Sequence, residues 1–234
     1  MFALHPTRSA THTLRVLAGL LGYPDAGMRQ HLAEMRALIR AEAVLTQPRL
    51  AELDALIASL ERADPLEAEA DYVELFDRGR GTSLHLFEHV HGDSRERGPA
   101  MIDLGQTYET AGLILAEGEL PDYLPAVLEF VSTQPVREAK AFLGEMAHIF
   151  NAIFGALQQR ESPYASVLGA LLELAGEKAQ AVKPAAELPL DESWAEPLVF
   201  DGCSTKGQAR PGQPQPVRLV RRIDQNSAKP GAVA

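Results

Sequence analysis

From Leu14 to Leu172 the apolar residues recur every three or four positions, and no strand-like alternation of useful length competes with them. That period commits the chain to amphipathic helices, and the turn residues between them mark where each one stops. Leu14, Leu17 and Leu21 share a face in Thr11 to Leu21, which ends at Gly22-Tyr23-Pro24. Asp25 is placed to cap a second helix carrying Met28, Leu32, Met35 and Ile39. Pro48 opens a third, with Leu50, Leu53, Ile57 and Leu60. The fourth has the sharpest start: Asp64 as N-cap, Pro65 at the first helical position and Glu67 three residues after the cap. Leu66, Ala70 and Val73 are expected inward there, with Tyr72, Leu75 and Phe76 closing the helix.

Downstream the pattern predicts a helix from about Met101 to Ala116, closed by Gly118. Pro121-Asp122 introduces the next, with Leu124, Val127, Leu128 and Val131 inward. Pro135 starts the longest, running through Phe142, Met146, Ile149, Phe150, Ile153 and Leu157. Ser162-Pro163 begins the last, with Tyr164, Val167, Leu168, Leu171 and Leu172. The expected fold is all-α, a single compact helical domain whose short connections favour antiparallel neighbours. It is expected over residues 1–200, followed by a disordered tail from 201 to 234. The tail holds eight Pro or Gly and six basic against two acidic residues. Such a composition buries too little apolar surface to offset ordering entropy. Trp194, Leu198, Val199 and Phe200 are expected to dock back on the body.

Charge narrows the function classes. The chain carries −10 overall, and the +4 of the tail leaves −14 for residues 1–200. Nucleic acid is disfavoured, because binding there rests on Lys and Arg neutralising phosphates. A basic peptide or protein partner suits the body better. The lone Cys203 forms neither an internal disulfide nor a multi-cysteine zinc site, so a reducing, cytoplasmic setting is expected. No secretory signal is evident, and the apolar stretch Ile149 to Leu157 falls far short of the ~20 residues that cross a bilayer.

The stretch Asp71 to Leu104, DYVELFDRGRGTSLHLFEHVHGDSRERGPAMIDL, interrupts the helices with a long charged connection, and such loops are often functional. Three chemistries can be drawn from it. His85, Glu88, His89 and His91 form H-x3-H-x-H with an acid between, a possible metal set, but the pattern is not HExxH and no further cluster completes it. Ser83, Ser94, Asp93 and the histidines can be arranged as a hydrolytic triad on paper, without the strand that presents a nucleophile elbow. Gly79 and Gly81 lack a phosphate-loop pattern and are read as turn formers. The plainer reading is that the imidazoles hydrogen-bond locally or line a polar groove. Further on, Pro121 to Pro125 packs two prolines, an acid and an aromatic into a stiff ledge.

Taken together these motifs resemble the nitrate reductase molybdenum cofactor assembly chaperones. The resemblance rests on Tyr72, Leu75 and Phe76 (Y-x-x-L-F), on S-L-x-L-F-E-H-V-H-G-D-S-R-x-R-G from Ser83 to Gly98, and on M-x-D-L from Met101 to Leu104. It also rests on P-D-Y-L-P-x-V-L-E-F from Pro121 to Phe130. This last occupies the place of the acidic-proline motif of the wider group of redox enzyme maturation chaperones for trimethylamine oxide and dimethyl sulfoxide reductases. Leu21-Gly22-Tyr23-Pro24 and the Trp194 to Phe200 segment match the nitrate reductase branch. The resemblance covers about residues 11 to 200.

It implies an all-helical chaperone and not an enzyme, binding the cytoplasmic apo catalytic (alpha) subunit of respiratory nitrate reductase. It further implies that the subunit's N-terminal segment is a target. The client would be held competent while molybdopterin guanine dinucleotide and an iron–sulfur cluster are inserted, with no cofactor held stably by the chaperone and no insertion of the chaperone in the membrane. Candidate partner-binding residues are the acids Asp71, Glu88, Asp93, Asp103 and Asp122, with Tyr72, Phe76, His89 and Tyr123 beside them and Arg95 and Arg97 in the loop. The alternatives are a chaperone for a molybdoenzyme of the dimethyl sulfoxide or trimethylamine oxide reductase type, a metal-dependent hydrolase on the histidine cluster, and a general helical adaptor for basic partners.

Overall fold

A computed structural model describes residues 9–90, 95–116 and 118–180. Its helices are α1 (Thr11–Leu21), α2 (Ala26–Arg29), α3 (Leu32–Glu42), α4 (Gln47–Arg62), α5 (Pro65–Phe76), α6 (Leu86–Val90), α7 (Arg97–Thr110), α8 (Leu124–Thr133), α9 (Val136–Glu145), α10 (Ala147–Gln159) and α11 (Ala165–Ala175). A 3-10 turn, Arg80–Thr82, precedes α6. Among the described residues there is no strand, only one isolated antiparallel bridge between His85 and Tyr123. No helix among them is long and apolar enough to cross a membrane.

The sequence of α11, ASVLGALLELA, is apolar on nearly every side, and a helix of that kind belongs at the centre. Val167, Leu168, Ala170, Leu171 and Leu172 are indeed fully enclosed. Four helices pack on it: α10, α9, α4 and α1. A second layer forms where α1 lies against α8 and α3. Gly176, in the left-handed region at φ +86, ends α11, and the Glu177 N–H turns back to the Leu172 carbonyl.

The N-termini of α1 and α4 are closed by carboxylates from other elements. Glu42, at the end of α3, accepts hydrogen bonds from the His12 and Thr13 N–H groups of α1 at 3.1 and 2.6 Å. Glu173 of α11 accepts from the Thr46 N–H and hydroxyl ahead of α4. Each satisfies donors that a helix start leaves open, and each ties two elements together. Asp25 and Asp64 cap α2 and α5 from within the sequence, as their positions predict.

The structure departs from the expected pattern in four places. The second helix is divided at Gln30-His31 into α2 and α3: Leu32 enters the core, while α2 has no fully buried residue and touches the core through half-buried Met28. The long helix from Pro135 is divided at Met146 into α9 and α10, and the two segments both lie against α11. The helix expected to reach Ala116 stops at Thr110, because Gly112 takes φ +80 and the Leu113 N–H bonds the Tyr108 carbonyl. On α5 the inward set is Ala68, Tyr72 and Phe76; Leu66 is 77% exposed and Ala70 is exposed, so the buried face is rotated from the expected one. The segment Trp194 to Phe200 and the 200/201 boundary lie outside the described residues.

Glu42→Ala should lower stability by ~0.5–2 kcal/mol, the range for losing a cap. Urea unfolding measures it, and a midpoint equal to wild type would show that the Glu42 bridge adds nothing.

Candidate functional site

Tyr72 and Phe76 fall four residues apart on α5, so their rings meet at 4.8 Å between centroids. Tyr23 packs edge-on to Tyr72 at 5.6 Å, and Tyr164 packs edge-on to Phe76 at 5.1 Å. The Tyr72 hydroxyl donates to the Leu21 carbonyl at 2.7 Å and meets the Tyr123 hydroxyl at 3.3 Å. Burial pushes this phenol far above its ordinary range, so it stays a neutral donor. Tyr72 and Phe76 are each only 5% exposed. They organise the site from beneath its surface.

After α5 the chain turns through Gly79 to Thr82. A Cβ on Gly79 would lie 2.7 Å from Arg160 Nη2 and 2.8 Å from Thr82 Oγ1, so a larger residue there would have to displace the guanidinium and the Thr82 hydroxyl. The Thr82 hydroxyl ties the turn back to the Leu75 and Gly79 carbonyls. Residues 84–87 then run beside residues 121–124. The Leu86 N–H bonds the Asp122 carbonyl at 3.0 Å, and the Leu124 N–H bonds the Leu84 carbonyl at 2.8 Å. The Tyr108 hydroxyl donates to the Pro121 carbonyl at 2.7 Å and fixes the proline ledge to α7.

Asp122 sits inside this junction with 0% exposure. One carboxylate oxygen accepts from the Phe87 N–H at 3.1 Å, and the other from His85 Nδ1 at 3.3 Å. Because a carboxylate accepts only, the His85 nitrogen facing it carries the proton. Arg97 stands 3.7 Å from Asp122 and 3.6 Å from Glu88. Asp122 therefore closes the start of α6 from across the chain, much as Glu42 does for α1. His85, Glu88 and Arg97, together with Arg78 and Arg80, open onto a polar cleft of about 380 Å³.

The predicted residues thus divide. The structure brings Tyr72, Phe76, Glu88, Arg97, Asp122 and Tyr123 together, with His89 close by through its Nε2–H bond to the Ser83 carbonyl at 2.8 Å. Asp71 and Asp103 are exposed and line other surfaces, and Arg95 is exposed. Asp93 and His91 lie outside the described residues. Asp122, expected as an acid facing a basic partner, has its carboxylate wholly engaged inside the protein. The Ser83 hydroxyl accepts from the His85 backbone N–H, an ordinary turn contact. His85 and His89 direct their bonded nitrogens to different acceptors. Among the described residues no three His, Cys, Asp or Glu side chains are arranged to hold a metal. Tyr164 and Tyr108 complete the site without having been expected in it; their apolar spacing marks them as core, and only the three-dimensional packing reveals the added role.

His85 titrates above its ordinary value of ~6.5 because Asp122 accepts its hydrogen bond, partly opposed by burial and aided by the Asp122 charge. The stabilisation from this pair is therefore fully present below ~6.5 and lost as pH rises through the raised value. In NMR titrations the His85 midpoint should lie above ~6.5 in wild type and fall back towards it in Asp122→Asn. Equal midpoints in the two proteins would contradict the pairing.

Comparison with known proteins agrees with this architecture. The family model described as nitrate reductase delta subunit matches residues 25–170. The nitrate reductase molybdenum cofactor assembly chaperone NarJ of Escherichia coli K12 is 43% identical over 196 residues, covering 80% of this chain and 83% of that protein. NarW of the same strain is 45% identical over 163 residues, covering 70% of this chain and 68% of NarW. The fold matches that of a candidate redox enzyme maturation protein from Archaeoglobus fulgidus, with a TM-score of 0.53 at 18% identity, over 76% of this chain and all of that one. The chain belongs to the nitrate reductase delta subunit family, the family of the nitrate reductase molybdenum cofactor assembly chaperones.

Proposed function

We propose that this chain is a cytoplasmic chaperone that binds the apo catalytic (alpha) subunit of respiratory nitrate reductase. It holds that subunit competent for insertion of molybdopterin guanine dinucleotide and an iron–sulfur cluster, before the enzyme assembles at the membrane. The observation that carries this reading is the similarity to NarJ along 80% of the chain, which takes in both the α5–α6 region and the proline ledge. The chain works by binding and not by catalysis, in keeping with relatives that are named as assembly chaperones.

The physical properties support a binding role. The body is strongly acidic, −14 over residues 1–200, and suits a basic segment at the client's N-terminus. The Asp122 junction holds the loop after α5 in one arrangement, so the client meets a surface already formed and less entropy is lost on docking. Molybdopterin guanine dinucleotide is the client's cargo in this scheme, and the chaperone acts by keeping its receiving site open.

Purified wild-type chain should capture the apo alpha subunit from cells making nitrate reductase, and the cofactor-loaded subunit far less. Equal capture of both forms would contradict a role before cofactor insertion. Selective capture of a dimethyl sulfoxide reductase-type subunit would reassign the client, and recovery of many unrelated basic proteins would favour a general adaptor.

A further inference from the structure

The connection from α7 to α8 turns apolar side chains outward. Gly112 and Gly118, in the left-handed region at φ +80 and +90, bracket residues 113–116, and the Leu113 N–H is held by the Tyr108 carbonyl. Within this turn Ile114 is 91% exposed, and Leu120 just beyond it is 45% exposed. Single exposed apolar residues are ordinary on a surface. This one borders an opening suited to such a side chain. A cavity of about 430 Å³ lies between the turn, α8 and the outer side of α1, lined by Tyr108, Leu113, Leu115, Pro125, Ala126 and Phe130. The Tyr108 and Phe130 rings meet there at 4.8 Å between centroids, and both are buried.

The charges around the cavity follow the same pattern. Arg15, Glu119 and Glu129 border it, and all three are exposed. Arg15 donates from Nε to the Ser132 hydroxyl at 3.2 Å, and none of the three enters an ion pair among the described residues. One face thus carries an apolar knob beside an apolar hole, and a cation beside two acids that do not satisfy it. Such a patch is complementary to itself. Two copies meeting about a two-fold axis make every contact twice, so both halves of the pattern are used at once.

We propose that this face pairs two copies of the chain. Ile114 of each copy enters the cavity of the other, and Arg15 of each faces Glu119 and Glu129 across the axis. A foreign protein would have to match only one half of the pattern, whereas here knob, hole, cation and acids sit together. Anionic lipid and nucleic acid would both be opposed by the two carboxylates. Each cavity receives one branched side chain, so the apolar centre of the contact is small. The pair is therefore of the reversible class and not a permanent dimer. No residue that lines this cavity also lines the polar cleft of His85, Glu88 and Arg97, so pairing does not enlist the cleft.

Sedimentation velocity of the full chain over a concentration series reads the pairing directly. Wild type should pass from monomer to dimer as concentration rises. Ile114→Glu should weaken pairing on the order of tenfold or more. Because that side chain is exposed, the variant's circular dichroism should match wild type. Charge reversal supplies the second arm. Arg15→Glu alone and Glu119→Lys/Glu129→Lys alone should each stay mainly monomeric, since like charges then face each other across the axis. Mixed in equal amounts, the two variants should recover the dimer, because both cross-axis contacts are again opposite in sign. A wild type that remains monomeric up to about 1 mM would overturn the proposal. So would a wild-type dimer indifferent to Ile114→Glu or to the charge reversals, which would place the contact on another face. A mixture of the two reversal variants that stays monomeric would overturn it as well, by removing the two-fold arrangement.

Discussion

A carboxylate with no exposure is tolerable only when donors surround it, because an unpaired buried charge costs several kcal/mol. Asp122 meets that condition through a backbone N–H, an imidazole N–H and a nearby guanidinium, all from residues 85–97. These contacts hold residues 84–87 beside residues 121–124. The same contacts close the N-terminus of α6, a helix of five residues too short to persist alone. Around that group lie the bridge between His85 and Tyr123 and the seat of the proline ledge against Tyr108.

From this follows a division of labour on α5. Its buried face carries the aromatic pair that recurs in the sequence motif, locked to Tyr23, Tyr123 and Tyr164. Its outer face carries the exposed Glu67, Asp71 and Glu74, with Leu75 half-buried beside them. Two motif residues, Tyr72 and Phe76, therefore shape the surface from below, while the third, Leu75, lies on it among charged neighbours. That arrangement suits a chaperone of this family: the scaffold is fixed by aromatic packing and buried hydrogen bonds, while the surface carries the charge.

Much of the helical framework is legible in the sequence. Caps at Asp25 and Asp64 and the stripes of α1, α4, α8 and α11 act locally, within three or four residues, so periodicity reveals them. The breaks at Gln30-His31 and Met146 carry no proline and arise from how each segment reaches α11 or the core, which no local window contains. Gly112, not Gly118, stops α7, since two glycines offered the same left-handed ending and packing at Tyr108 selected the first. At the site, Asp122 reads as a surface acid because it follows a proline at a helix start, where an exposed cap is the usual role. Its partners lie 25 to 37 residues upstream, and the sequence has no period that couples them. Tyr72 and Phe76 stand out as aromatic anchors in the sequence, but their burial depends on Tyr23 and Tyr164, which are remote along the chain.

The central claim is that the Asp122 junction is formed before the client arrives. Hydrogen exchange of the full chain, alone and with apo alpha subunit, measures this directly. The Phe87, Leu86 and Leu124 amides, bonded across the junction, should be protected in the free chain and change little on binding. Fast exchange at those three amides in the free chain, or a large gain in their protection on binding, would contradict the account.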